Sequence, residues 1–195
     1  MTRKISTKLA KITLAWGIAL VAAACSSGPA PATFDLTAPR GPVRGRPSGQ
    51  FVVAEPLSLL IYDGDRIVVR QGDQVAVLKG GQWADRLPRL IQTRLIQTFE
   101  NVGMTAGIGR PGERITPDRQ INIDIRAFEV NADLGEAVVE ITVKLIRDAT
   151  GRVSASRVFT AREPATADAA SAAAALDTAL SRVLVDIVSW TAGRG

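Results

Sequence analysis

Histidine is absent from all 195 residues, and cysteine occurs once. The first absence removes the commonest general base and the commonest metal ligand, which excludes Ser-His hydrolase chemistry. The second excludes any disulfide within one chain. Aromatic residues make up only 5% of the sequence and tyrosine occurs once, so the side chains that most often anchor binding surfaces are scarce. No apolar run is long enough to span a bilayer: residues 12–24 form a nearly uncharged run of about 13, against the roughly 20 a membrane helix needs. What remains is ordinary globular composition, 46% hydrophobic and 22% charged, of a length suited to one core.

Arg3, Lys4, Lys8 and Lys11 precede the apolar run and small residues end it, the order found in a cleavable secretory signal. The stretch Val21-Ala22-Ala23-Ala24-Cys25-Ser26 resembles the lipobox of bacterial lipoproteins, with Ala22 where leucine is usual. That resemblance implies cleavage before Cys25 and acylation of its sulfur, which gives the lone thiol a role. Residues 1–24 are therefore read as a lipoprotein signal peptide. Its removal takes four positive charges and leaves 20 basic against 19 acidic residues, so the pI near 10 belongs to the signal and no nucleic-acid partner is expected. One acyl chain binds a membrane marginally and each buried methylene adds about 0.8 kcal/mol, so a multiply acylated cysteine makes a lasting anchor.

Residues 25–49 hold Pro29, Pro31, Pro39, Pro42 and Pro47 with Gly28, Gly41, Gly45 and Gly49, a composition that predicts a flexible tether. Within it Phe34-Asp35-Leu36 is able to pair as a short edge strand, which would leave about eight free residues, or roughly 25 Å. Arg40, Arg44 and Arg46 place three positive charges in this region. A solvated loop accounts for them, with lipid head groups as the alternative.

Residues 50–195 read as the folded domain. Arg66–Arg70 and Gln74–Lys79 are β-rich runs around Gln71-Gly72-Asp73, which predicts a hairpin. From Asp85 to about Asn101 the period becomes helical, with Leu87, Leu90, Ile91, Leu95 and Phe99 on one stripe, Arg94 interrupting it and Pro88 in the first turn. Strict alternation over Ile121, Ile123 and Ile125, and again over Ala137 to Leu145, predicts two strands joined at Asn131–Gly135. A third follows near Arg152–Arg162, giving an antiparallel meander. The segment from Thr166 to Ala192 carries Ala172, Leu176, Leu180, Val183 and Ile187 on one face and Ser171, Arg182 and Asp186 on the other, an amphipathic helix for packing on a sheet. The fold class predicted is a small two-layer α/β domain with a mainly antiparallel or mixed sheet of about five strands and two helices.

Motifs for chemistry are weak. Asp63-Gly64-Asp65 brings two carboxylates together, but Arg66 follows and no further acid completes a cation shell, so it reads as a turn. Gly107-Ile108-Gly109-Arg110-Pro111-Gly112 fits a dinucleotide fingerprint literally, yet Pro111 and Pro117 deny it the helix such a site opens on, and it reads as a loop. No metal or cofactor is expected, and no catalytic residue is assigned. Trp83 reads as a staple on the first turn of the helix, with Asp85 near free N–H groups there. Leu57-Ser58-Leu59-Leu60-Ile61-Tyr62 has neither alternation nor helical period, so it is either a core strand or a docking surface. The docking candidates are Leu57, Leu59, Leu60, Ile61, Tyr62 and Trp83.

The order of these parts, a lipobox, Asp65–Arg70, the Trp83–Pro88 entry to a helix, Ile121–Phe128 and a final alanine-rich helix, resembles the ABC-type transport auxiliary lipoproteins. It is similar in particular to those accompanying mammalian-cell-entry (MCE) lipid transporters, including the paraquat-inducible protein C group. The resemblance implies a non-enzymatic component of a machine that moves lipids across the periplasm, with an MCE-domain protein and its ABC permease and ATPase as partners. It further implies lipid anchoring at the outer membrane facing the periplasm, in agreement with Ser26 after the cysteine, since Asp there is the usual inner-membrane retention signal. Association with further copies of itself stays open. Another periplasm-facing binding or assembly lipoprotein is the alternative.

Overall fold

The computed structural model describes residues 30–45 and 47–194; the signal peptide, Cys25 and Arg46 lie outside the described residues. The compact unit begins at Pro31. Its elements are β1 (Ala32–Phe34), β2 (Phe51–Val53), β3 (Leu57–Ser58), β4 (Arg66–Gln71), β5 (Gln74–Trp83), α1 (Leu87–Asn101), β6 (Ile108–Gly109), β7 (Arg119–Asn131), β8 (Glu136–Arg147), β9 (Val153–Pro164) and α2 (Ala169–Ala192).

The meander is present as expected: β7 and β8 pair antiparallel, as do β8 and β9. The hairpin is present too, with Gln71 opposite Gln74 and Gly72 at φ +56 in its two-residue loop. The sheet has nine strands where about five were predicted, and it is mixed. β7 explains the difference. Its 13 residues extend about 43 Å at roughly 3.3 Å each. One edge is taken by β8, and the other receives β2, β3 and β4 one after another, all parallel. β1 and β6 add parallel to β5 and β2. Strands of two or three residues are too short to show a period, so β2 and β6 have no sequence signal; β1 overlaps the expected Phe34–Leu36 edge strand only at Phe34, and β3 is the first two residues of the Leu57–Tyr62 segment. Gly107–Gly112 is likewise more than a loop, since Ile108–Gly109 forms β6.

Both helices cover one face. Ile121, Ile123 and Ile125 of β7 and Ala137, Val139, Ile141, Val143 and Leu145 of β8 are buried beneath them. The predicted stripes of α1 and α2 are the buried ones, including Leu95, Phe99, Leu176, Leu180 and Ile187. Asp168 caps α2 by accepting the Ser171 N–H at 3.0 Å. Close packing at its start depends on Gly81, where an added Cβ would lie 2.7 Å from the Ala169 Cβ and 3.0 Å from the Phe34 ring.

The predicted tether is replaced, from Pro31 onward, by a strap fixed to the domain. Proline and glycine prevent regular structure there but not attachment. Arg94, the residue that broke the α1 stripe, pairs with Asp35 at 2.5 Å. Thr37 donates its N–H and Oγ1–H to Asp177 at 2.6 and 2.8 Å, and Asn101 Nδ2 donates to the Ala38 and Pro39 carbonyls. Leu36 and Pro47 are buried.

Candidate docking surface

β3 is only Leu57 and Ser58, in register with Asp124 and Ile125 of β7. The chain then leaves the sheet at Leu59 and makes one turn of 3-10 helix over Leu60–Tyr62, with the Tyr62 N–H donating to the Leu59 carbonyl at 2.9 Å. It re-enters as β4 further along the same edge of β7. The excursion throws the aliphatic side chains outward: Leu57 is 74% exposed, Leu59 66%, Leu60 88% and Ile61 37%. The segment is therefore no core strand.

Tyr62 goes the other way, and the cause lies in β7. The register with β8 shifts between Ile125 and Ala127, so the inward phase passes from Ile121, Ile123 and Ile125 to Phe128 and Val130. Glu129 is thereby turned to the face away from the helices. There Tyr62 covers it, donating its hydroxyl to Glu129 Oε2 at 2.5 Å, while Arg70 of β4 donates Nε to Oε1 and Nη2 to Oε2 at 3.1 Å. Glu129 is left 5% exposed, a buried carboxylate whose oxygens are both satisfied. Burial, and then the hydrogen bond to Glu129, pushes the Tyr62 hydroxyl from 10.0 up to about 12. The same carboxylate raises the Arg70 guanidinium above its ordinary value.

The ends of the excursion are also fixed. Arg86 bridges Glu55 at 3.1 Å and Asp63, and the Asp63 hydrogen bond raises its guanidinium. Trp83 N–H donates to the Asp65 carbonyl at 2.6 Å and Leu87 N–H to the Gly64 carbonyl at 2.8 Å. Asp85 accepts the Arg86 N–H at 2.8 Å and reaches Arg89 at 3.7 Å, so it serves the entry to α1 and not the free N–H groups inside it. A ridge of four aliphatic side chains is thus carried on a platform held from below by Tyr62 and from the flank by Arg86. Beside Leu57 lies a depression of about 110 Å³ lined by Asn122, Asp124, Thr142 and Lys144.

Two docking candidates leave the surface. Tyr62 is 2% exposed and Trp83 1%, the latter meeting Phe128 edge-on at 5.7 Å, so both are interior supports. Sequence reasoning missed Glu129, Arg70 and Arg86. The available signal was the break in alternation between Ile125 and Phe128, which marks the bulge. Among the described residues no cluster of acids has metal-ligand geometry, and no helix is long and apolar enough to cross a membrane.

Residues 34–188 match the family of ABC-type transport auxiliary lipoprotein components. The chain belongs to that family. A Bradyrhizobium diazoefficiens relative, named as an uncharacterized protein, is 34% identical over 173 residues. The match covers 85% of this chain and 47% of that protein, so the chain spans about half the length of this curated relative. A Xanthomonas campestris protein of known crystal structure is 30% identical with a TM-score of 0.70, over 83% of this chain and 96% of that one. A second solved structure, also of an uncharacterized protein, shares 15% identity and a TM-score of 0.60, a likeness of fold alone. Its mixed α/β fold is that of the Xanthomonas campestris relative.

Proposed function

We propose that this auxiliary lipoprotein is a non-enzymatic docking subunit of an MCE-type lipid transport system, anchored through Cys25 at the periplasmic face of the outer membrane. The observation that carries the reading is the ridge Leu57, Leu59, Leu60 and Ile61. Apolar groups gain little by standing in water, and this protein uses a buried Tyr62–Glu129–Arg70 cluster and an Arg86 bridge to keep them there. Buried polar groups here hold a surface in place. The histidine-free sequence supports the non-enzymatic part, and family membership supports the transport part. The MCE-domain protein, which spans the periplasm, is the partner proposed for the ridge.

The test is a pull-down of the tagged lipoprotein from membranes, read by mass spectrometry for the MCE protein, permease and ATPase. Leu59→Ser with Leu60→Ser is expected to abolish capture while the melting curve of the variant stays unchanged. Capture of an unrelated envelope assembly by the unaltered protein would replace the transport reading. Undiminished MCE capture by the folded double variant would remove the ridge from the interface.

A further inference from the structure

The strap from Thr37 to Arg44 runs beside α2, and between them lie two adjoining cavities that share Val185 and Asp186. The first, of about 430 Å³, is bordered by Arg44, Arg157 and Arg194 with Ser189 and Trp190. The second, of about 450 Å³, continues towards Pro39 and Thr178. Arg182 at its rim is turned away to Glu163 at 2.5 Å, which leaves this half mostly apolar.

The charges of the first cavity are unbalanced. Among the described residues Arg44, Arg157 and Arg194 form no ion pair with any carboxylate, and Asp186 is the one acid in the lining. Two of the three are held in place: Arg157 lies over Phe159 at 5.0 Å and Arg194 over Trp190 at 4.8 Å, while the two rings meet edge-on at 5.6 Å. Stacking occupies the faces of a guanidinium and leaves its in-plane N–H groups available for an anion. Arg194 spends one on the Trp190 carbonyl at 3.0 Å, the end of α2, and that capping contact leaves Arg44 and Arg157 unexplained. Ser189 Oγ accepts the Arg44 N–H at 3.2 Å, so its own O–H remains free to donate. From Thr178 to Trp190 the helix covers about 18 Å at 1.5 Å per residue, room for a phosphate head and much of an acyl chain.

We propose that this groove binds an anionic amphiphile, with a phosphate among Arg44, Arg157 and Arg194 and an acyl chain laid over Val185 towards Pro39. The subunit then handles lipid itself as well as docking to its partner. The assignment rests on the transport reading only for the supply of ligand; the site is built from charge and shape.

The experiment uses the full mature chain in a non-ionic detergent, with lysophosphatidic acid carrying a brominated acyl chain as the probe. Bromine near Trp190 quenches its fluorescence, while Trp83, buried against Phe128, supplies a constant background. Saturable quenching is expected, weaker by about tenfold or more in Arg44→Gln with Arg157→Gln, because charge-assisted hydrogen bonds are lost. Val185→Glu, at a partly exposed helical position, is expected to weaken it as well without altering the melting curve. Equal quenching by a brominated monoacylglycerol, or unchanged binding in the arginine variant, would overturn the proposal. Displacement by inorganic phosphate at the probe's own concentration would also overturn it, leaving a site for free phosphate alone. If the arginine variant does not fold, Val185→Glu and the monoacylglycerol decide. Capture of the MCE protein is measured on the same preparations: binding without capture removes the transport reading and keeps the groove, and capture without binding does the reverse.

Discussion

Tyr62 and Glu129, 67 residues apart, are joined by a hydroxyl-to-carboxylate hydrogen bond of 2.5 Å, and this bond fixes which side of the 57–62 segment faces solvent. Were Tyr62 released, Leu59 and Leu60 would have nothing beneath them to hold them out. The two residues meet because the β7 bulge turns Glu129 outward at the place where the chain passes from β3 to β4.

Tyr62 is the only tyrosine in the chain, so its titration is directly visible in the ultraviolet absorbance of the phenolate. The midpoint is expected at about 12 in the folded protein and 10.0 in denaturant. The folded value is the higher one, so the unfolded chain releases its proton first. This contribution to stability is complete below pH 10 and is lost as pH rises through about 12. Tyr62→Phe should remove that pH dependence and cost about 2 kcal/mol in a urea melt, the worth of a hydrogen bond to a charged group. A folded midpoint at the ordinary value would dissolve the cluster.

Two substitutions of leucine by aspartate should behave oppositely. Leu60 is 88% exposed, so Leu60→Asp should change stability by less than about 0.5 kcal/mol. Leu180 is fully buried between α2 and the sheet, so Leu180→Asp should cost about 3 to 5 kcal/mol for an unpaired charge in an apolar interface. Thermal melting of both variants checks the assignment of faces.

The strap should open in acid. Burial tends to raise the Asp35 carboxyl, but the Arg94 hydrogen bond and charge and the Leu36 N–H outweigh it and lower the value below 3.8. Stability from this pair is present above pH 3.8 and falls away as pH drops through the lowered folded value. Asp35→Ala should free residues 36–45 for hydrogen exchange at neutral pH while changing global stability by under about 1 kcal/mol, because the carboxylate is solvent-screened. Exchange that stays slow in this variant would assign the strap's attachment to Thr37 and Asn101 instead.

Acylation of Cys25 is expected from the run of small residues before it and from the lack of any disulfide partner. Cys25→Ser should yield a soluble or uncleaved form, and the unaltered protein should incorporate labelled palmitate. Membrane retention of a cleaved Cys25→Ser protein would remove the anchor.

The sequence by itself determined the parts whose burial repeats locally. Alternation in β7 and β8 and the stripes of α1 and α2 each encode one buried face, and hydrophobic burial follows that pattern wherever the element packs. Only the tertiary structure decided what depends on partners distant in sequence. β1, β2 and β3 exist because longer strands offer free edges to two or three residues, too few to carry a period, and β6 adds in turn to the edge of β2. The strap is fixed because Arg94, 59 residues from Asp35, pairs with it, and Asp177, 140 residues from Thr37, accepts from it. Within Leu57–Tyr62 two residues carry hydroxyls, but Ser58 lies in register with Ile125, so the place over the buried Glu129 carboxylate went to Tyr62, whose hydroxyl reaches it, and the aliphatic residues were left outside.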